Sequence, residues 1–467
     1  MKRTAVINIV GLTESLLGKH TPNLQRFRQA GSLVPIEPAF PAVTCTAQSN
    51  YLTGKTPAAH GVVANGWYQR ELAEVQFWKQ SNHLVTAPKI WDELKRHDPK
   101  FTCAQLFWWY NMYSTADWSI TPRPMYPADG RKFFDIYTWP YSVRTEIKRD
   151  LGEFPFFGFW GPAAGVDSPQ GSADATSRWI AESAKWIEQR QQPTLNLIYL
   201  PHLDYNLQRF GPDDPRIAKD LGEIDSIAGD LIGFFQKRDV QVLILSEYGI
   251  VPVNRAVHLN RIFREHGWLT IKEELGLELL DCGNSRAFAV ADHQIAHIYV
   301  NDASICGEVR STLESTVGVA RVLDGAGKRE LGIDHPRAGD LVALADEDAW
   351  FTYYYWQDDA RAPDYARCVD IHRKPGYDPV ELFTDPALSE FALKARIGWR
   401  LLQKKLGFRM LMDLIPLDAA LVKGSHGVRP RERKDWPVTI TSGPRSVPGA
   451  AVPSTDIYQY ILQTVEN

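Results

Sequence analysis

The stretch FPAVTCTAQSNYLTG, residues 40–54, puts a hydroxyl at the start of a short helix that follows a proline turn and closes at Gly54. Two chemistries suit a threonine there. Its oxygen can cap the helix by accepting from an orphan backbone N–H. Alternatively, the positive helix start is an anion site and Thr44 is a nucleophile aimed at a phosphate. Other segments carry groups that bind cations. After NLIYL comes PHLDYNLQRFGPDD, with His202, Asp204, Gln208, Asp213 and Asp214. After VLIL comes SEYG, with Ser246, Glu247 and Tyr248, and far downstream LVKGSHGVRP carries His426. Carboxylates and a histidine gathered at one sheet edge point to a divalent metal site. Each also has a plain structural use: Asp204 as a helix cap, Glu247 as a solvated charge, His426 as a turn residue.

The elements that must position these groups follow from periodicity. TAVINIV (4–10), TLNLIYL (194–200) and VQVLILS (240–246) read as buried strands, and TPNLQRFRQAG as a helix ended by Gly31. Residues 216–239 carry Ile217, Leu221, Ile224, Ile227, Leu231 and Phe235 at helical spacing. Strand–helix–strand order implies right-handed parallel crossovers and an α/β sheet. In such sheets ligands bind beyond the carboxyl ends of the strands, which is where the polar groups above fall. RAFAVADHQIAHIYV (286–300) and GDLVALADEDAWFTYYYW (339–356) add strand-rich segments with hairpin character. Residues 105–142 and 153–175 have no clean period and are dense in aromatics, prolines and glycines. They read as one insertion, 105–175, forming a cap or lid over the sheet edge of a single domain spanning 1–467; a loop-rich subdomain is the alternative.

Composition narrows the classes. The chain has 467 residues, 44% hydrophobic and 23% charged, with a net charge of -4. That is an ordinary globular make-up, without the basic footprint that nucleic acid or an anionic membrane demands. No apolar run reaches the ~18 residues of a membrane span. The basic start and apolar run of the first twenty residues alternate like a strand and lack a small-residue cleavage site, so they read as β structure rather than a leader. Five scattered cysteines form neither a disulfide framework nor a CxxC site, which fits a reducing, cytoplasmic setting. Oligomeric state is not readable.

Two segments carry a family resemblance. HTPNLQRF looks like the TPNLDRL helix of the type I phosphodiesterase/nucleotide pyrophosphatase branch of the alkaline phosphatase superfamily. FPAVTCTAQSNYLTGKTPAAHGVVANGWY is similar, without a gap over about thirty residues, to the nucleophile segment of that branch and its phosphonoacetate hydrolase relatives, FP-x-x-T … TG-x-x-P-x-x-HG-x-x-x-N-x-x-Y. The resemblance implies an alkaline phosphatase-like fold: a doubly wound, mostly parallel sheet with helices on both faces. It implies that Thr44 is the nucleophile and that Asn65 helps hold the phosphoryl oxygens; from local sequence alone, Asn65 opens an Asn-Gly turn.

The resemblance further implies two zinc ions about 4 Å apart, clamping attacking and leaving oxygens. One site would take D-x-x-x-H-x-x-GP and a late HG; here stand Asp204, Gln208 and His426. The other would take an aspartate ending the first strand and an S/T-DHG pair; here stand Val10, Glu247 and Tyr248. Valine ligates nothing, and an amide oxygen suits harder cations better than zinc. The expectation is therefore one or two divalent ions, zinc first and manganese or magnesium as alternatives, held by Asp204, Gln208, Glu247 and His426. Glu14, His20, His202, His258, Arg209, Lys374 and Arg429 are polar groups available to substitute for the missing ligands. RKPGYDPVELF echoes the family's HGYDN with Pro375 in place of the histidine, and reads as a structural loop.

The function that follows is a metal-dependent hydrolase of a phosphodiester, pyrophosphate or phosphate ester, acting on a small phosphorylated molecule through a phosphothreonine. The aromatic insertion would stack a flat group of the substrate. Two alternatives stand beside it: a degenerate member that binds phosphate or a metabolite without turnover, and a one-metal enzyme acting on a substrate without phosphorus.

Overall fold

The computed structural model describes residues 1–128, 131–168, 171–408, 410–443 and 450–466. Residues 129–130 and 169–170 of the proposed insertion thus lie outside the described residues.

The first strand, β1 (Thr4–Ile9), is buried at every position. Its apolar run can be covered on both faces, as a central parallel strand requires. In chain order the other strands of its sheet are β2 (Ser32–Glu37), β3 (Cys103–Leu106), β4 (Trp118–Pro122), β5 (Ile136–Trp139), β6 (Leu195–Leu200) and β7 (Gln241–Leu245). A four-stranded sheet follows, made of β8 (Ala287–Asp292), β9 (Ile295–Val300), β10 (Val319–Leu323) and β11 (Leu341–Ala345); β12 (Val438–Thr441) and β13 (Val452–Pro453) then return to the first sheet. The nine-stranded order is β13-β2-β12-β7-β1-β6-β3-β4-β5. Its centre is parallel: Asn8 lies level with Tyr199 on one side and Leu245 on the other. Antiparallel pairing enters at β5 and β12. The predicted strands at 4–10, 194–200 and 240–246 are β1, β6 and β7.

Helices α1 (Pro22–Ala30) and α2 (Thr44–Thr53) precede β3; α3 (Tyr141–Leu151) and α4 (Ala175–Gln191) follow β5; α5 (His202–Phe210) and α6 (Ile217–Gln236) join β6 to β7. The predicted 216–239 helix is α6, and its periodic apolar residues are buried. Asp225 on that helix accepts the backbone N–H groups of Asn23 and Leu24, capping the N-terminus of α1 from a neighbouring element.

The 105–142 region differs from a cap. It supplies β4 and β5 and continues β3, so much of it widens the main sheet instead of covering it. Strand pairing absorbs its backbone polar groups, while its aromatics divide. Trp108, Trp109 and Tyr110 turn inward, and Tyr126, Phe133, Trp139 and Tyr141 face solvent.

The four-stranded antiparallel sheet runs β8-β9-β11-β10 and has its own core, in which Tyr353, Tyr354, Tyr355 and Trp356 are buried. Its first hairpin turns through His293, whose φ of 60° is left-handed. A non-glycine residue in that region carries strain, and such positions concentrate at functional sites.

Candidate active site

Thr44 opens α2, every residue of which is buried. The helix cap is Val43, in extended conformation, and Thr44 is the first helical residue with no capping bond from its side chain. The capping expectation therefore fails for a geometric reason: one step inside the helix, a hydroxyl no longer faces the first-turn N–H groups. The N–H of Cys45 is met instead by Oδ1 of Asn65, at 3.0 Å.

The Thr44 hydroxyl joins a buried chain. Its Oγ1 is 3.1 Å from the Tyr248 hydroxyl, which donates to Oδ1 of Asp204 at 3.2 Å. Because the single phenolic proton goes to the carboxylate, Thr44 is the donor to Tyr248. Asp204 and Gln208 lie one turn apart on α5, and the Gln208 Nε2 donates to Oδ2 of Asp204 at 2.9 Å. Gln208 Oε1 in turn accepts from Tyr377 at 3.0 Å. Tyr377 belongs to the segment read as a structural loop. It is a site residue that the sequence reading missed, and the GYD echo was its signal.

Glu247, after β7, accepts from Asn8 at 2.5 Å and Gln48 at 2.6 Å through Oε1; its Oε2 has no partner among the described residues. Burial pushes Glu247 up to about 8, against the opposing hydrogen bonds of Gln48 and Asn8. Burial likewise pushes Asp204 up to about 7, against those of Tyr248 and Gln208.

Asn65 is held from the hairpin between β8 and β9. Its backbone N–H donates to Oδ2 of Asp292 at 2.8 Å and its Nδ2 to Oδ1 at 3.1 Å. Burial pushes Asp292 up to about 6. The neighbouring His293 places Nδ1 2.7 Å from Oδ1 of Asp292, and its ring lies between Tyr377 and His426, with centroids 3.6 and 3.7 Å away. His426 places Nδ1 2.7 Å from the Ala42 carbonyl and stacks on Tyr248 at 3.6 Å, nearly parallel. Both imidazoles are buried and both Nε2 atoms lack a partner among the described residues. His293 also escaped the sequence reading, because the alternation of 286–300 describes strands and not the turn between them.

Among the described residues, no Lys or Arg pairs with Asp204, Glu247 or Asp292. The cations expected as substitutes are elsewhere. Lys374 is buried against Asp378 and Glu381, both at 2.7 Å; Arg209 donates to Asn206 and the Leu382 carbonyl; Arg429 pairs with Glu37. The centre is therefore rich in acceptors and acids and carries no fixed positive side chain.

The two-ion arrangement implied by the resemblance does not fit this donor set. Val10 is buried hydrocarbon. The Tyr248 hydroxyl stands between Thr44 and Asp204, and both ends of the Gln208 amide are engaged, so Gln208 offers no free oxygen. Asp204, Glu247 and His426 surround Tyr248 but do not bring three ligand atoms within 4.8 Å of one another. Among the described residues His202, Asp220 and Glu223 do so, in a separate group. There His202 Nε2 lies 2.9 Å from Glu223 and 3.5 Å from Asp220, an arrangement already satisfied by its own hydrogen bonds. What the centre does offer a cation is a set of unpartnered acceptors: Nε2 of His426, Nε2 of His293 and Oε2 of Glu247.

Fold and site together define a class. The type I phosphodiesterase / nucleotide pyrophosphatase family model matches residues 4–378. The chain belongs to that family and has an alkaline phosphatase-like fold. Among curated proteins it is 24% identical over 266 residues to an uncharacterized pyrophosphatase/phosphodiesterase of Schizosaccharomyces pombe, covering 55% of this chain and 47% of that protein. It is also 24% identical over 281 residues to ectonucleotide pyrophosphatase/phosphodiesterase 2 of Saccharomyces cerevisiae, covering 54% and 48%. The chain thus spans about half the length of the curated relatives it matches. Among solved structures, phosphonoacetate hydrolase from Sinorhizobium meliloti 1021 in complex with phosphonoformate superposes with a TM-score of 0.60 at 13% identity, covering 99% of this chain and 96% of that one. An inactive murine ectonucleotide pyrophosphatase / phosphodiesterase 5 in complex with AMP gives 0.58 at 14%, covering 100% and 95%. No helix among the described residues is long and apolar enough to cross a membrane.

Proposed function

We propose that this chain hydrolyses a phosphate ester, most simply a phosphodiester or pyrophosphate, with Thr44 as nucleophile. The observation that carries the reading is the buried chain from Thr44 through Tyr248 to Asp204. In the proposed step Thr44 Oγ1 attacks phosphorus, its proton passes to the Tyr248 oxygen, and the Tyr248 proton passes to Asp204. The bond from phosphorus to the leaving oxygen breaks and that oxygen departs with the electron pair. The leaving oxygen takes up the proton held on Asp204; water then attacks phosphorus, the bond from phosphorus to Thr44 Oγ1 breaks, a water proton restores the hydroxyl, and the remaining phosphate monoester is released (inorganic phosphate where the substrate is a monoester). Asp204, held near neutrality by burial, has a basicity suited to this exchange at physiological pH. Asn65 positions the start of α2 by holding the Cys45 N–H, and that helix start favours an anion.

Phosphate brings negative charge into a centre that holds Asp204, Glu247 and Asp292 and no Lys or Arg. A divalent cation, zinc first and manganese or magnesium as alternatives, would supply the missing neutralisation, with His426 and Glu247 as open donors. The family membership and the phosphorylated or phosphonate ligands named for the two structural neighbours support a small phosphorylated substrate. Trp78, Trp109 and Trp160, grouped about Tyr377 and one another at 4.8–5.8 Å, offer a flat group a stacking surface near the centre.

Hydrolysis of bis-p-nitrophenyl phosphate, with and without a chelator, tests the reading. Thr44→Ala should abolish the release of p-nitrophenol; a fully active variant would reject it. A second reading, binding without turnover, is favoured by one observation: Tyr248 fills the space beside Thr44 with a phenol. A preparation that binds AMP but releases no product across zinc, manganese and magnesium would establish it.

A further inference from the structure

We propose that helix α7 (Glu390–Lys405) and the turn after it form an in-plane anchor for an anionic lipid bilayer. The inference goes beyond the hydrolase reading and does not depend on it. A helix on a globular protein buries one apolar stripe and turns its other side, which is polar, to water. This helix has a second apolar face. Leu393 and Ile397 are half-buried on one side. Phe391, Ala395, Trp399, Leu402 and Leu406 recur at intervals of four, four, three and four, so they share the opposite side. Leu406 continues the helical pattern, its N–H donating to the Leu402 carbonyl at 2.9 Å. That side is open to water: Phe391 is 83% exposed, Trp399 57% and Leu406 64%. Phe408 and Leu411, just beyond, are exposed as well. Single exposed apolar residues need no explanation, but a contiguous apolar face marks a docking surface.

Charge decides the occupant. Residues 390–409 carry Lys394, Arg396, Arg400, Lys404, Lys405 and Arg409 against the single acid Glu390. The chain as a whole has a net charge of -4, so this cationic excess is local. At 100° per residue, Lys394 and Lys405 fall along one border of the exposed apolar face and Arg396 and Arg400 along the other. Arg396 and Arg400 are also tied to Asp413, at 2.6 and 2.8 Å, which fixes the helix against the segment leading to the buried Ile415. An apolar face bordered on both sides by long cations matches acyl chains flanked by anionic headgroups, with the cationic stems lying along the apolar boundary. Trp399, at the middle of that face, is the side chain that favours the membrane–water boundary. A second copy of the same face would set cations against cations. With 16 residues and charges throughout its length, α7 lies in the surface rather than crossing it.

The test is flotation of the full chain with vesicles of phosphatidylcholine alone and of phosphatidylcholine with about 30% phosphatidylserine. The chain should float with the anionic vesicles, and less so as salt rises. The triple change Phe391→Ser, Trp399→Ser and Leu406→Ser should weaken binding by ~100-fold or more. The double change Lys394→Gln and Lys405→Gln should weaken it by ~10–30-fold. Circular dichroism checks that each variant is folded, and if the triple variant does not fold, the double variant provides the readout. Absence of flotation, equal binding to neutral and anionic vesicles, or wild-type binding by the folded variants overturns the proposal. A wild-type dimer that the triple change converts to monomer, without flotation, assigns the face to a second copy and overturns it too. Hydrolysis is read separately from p-nitrophenol release without vesicles, so failure of the anchor and failure of the hydrolase reading are told apart.

Discussion

Tyr248→Phe separates a relay from a filler. The change removes one oxygen and keeps the ring that stacks on His426. Two hydrogen bonds disappear, of 3.1 Å to Thr44 and 3.2 Å to Asp204. Both are long for O–H···O bonds, so their net value is at the low end of ~0.5–1.5 kcal/mol each. Asp204 keeps its Gln208 partner but loses the donor on Oδ1, and an acceptor left open in the interior adds ~1–3 kcal/mol. The folded state should therefore lose only ~2–4 kcal/mol. The reaction should lose more. General-base catalysis contributes ~10²–10⁴-fold, so kcat should fall by that factor, a barrier increase of ~3–5 kcal/mol. KM should change little, because the phenol faces the nucleophile. The pH profile adds a second readout. Wild-type activity should rise with pH through about 7, as Asp204 ionises. The Tyr248 hydrogen bond lowers the Asp204 pKa, so its removal should move that limb upward. Stopped-flow p-nitrophenol release across pH 5 to 9 measures both. A Phe variant with wild-type kcat and an unmoved limb would refute the relay.

Asn65→Ala keeps the backbone bond to Asp292 but loses the side-chain bond to it and the one to the Cys45 N–H; kcat should fall and the thermal midpoint should drop, both measurable on one preparation. Asp204 and Glu247 titrate at about 7 and about 8 in the folded chain, above their usual 3.8 and 4.5, so the folded state retains protons that the unfolded chain releases. Their contribution to stability is complete below about pH 4 and is lost as pH rises through 7 to 8, so the urea midpoint of metal-free protein should decline over that window; a rising midpoint there contradicts the assignment. Lys374→Met leaves Asp378 and Glu381 buried without their cation and should cost ~3–5 kcal/mol in denaturant unfolding. Removing the exposed Arg429 partner of Glu37 should cost at most ~1 kcal/mol.

How far the sequence could be read follows from which signals are local. β1, β6, β7 and α6 were legible because burial imposes a periodic pattern on the chain itself. The approach of α2 to Asn65 was legible through a gapless motif, since both lie on one continuous segment. The strands β4 and β5 were not, because aromatic and proline-rich residues at a sheet edge carry no alternation, and the segment passed for a cap. Tyr248 stands in the sequence where the resemblance implies a histidine ligand. The role proposed for it depends on the reach of a phenol across to Asp204, a distance fixed by separate elements of the fold. Tyr377 and His293 were missed for one reason: each stands in a turn, where neither period nor composition records direction, and each enters the site only when the smaller sheet packs against the larger.

The residues at the family's ligand positions in this centre fit one another physically. A tyrosine at 248 is longer than the histidine that the resemblance implies there, and its hydroxyl takes the space beside Thr44 that a cation would need. With that space filled, a carboxylate ending β1 would be a buried charge without a partner, and Val10 removes it. Gln208 then serves better as a donor to Asp204 than as a ligand, and Tyr377 fixes its orientation. In the proposed step the Thr44 proton has a path through Tyr248 to a carboxylate that burial keeps basic. His426 stacks on the Tyr248 ring and His293 on His426, and the Nε2 atoms of both imidazoles have no partner among the described residues.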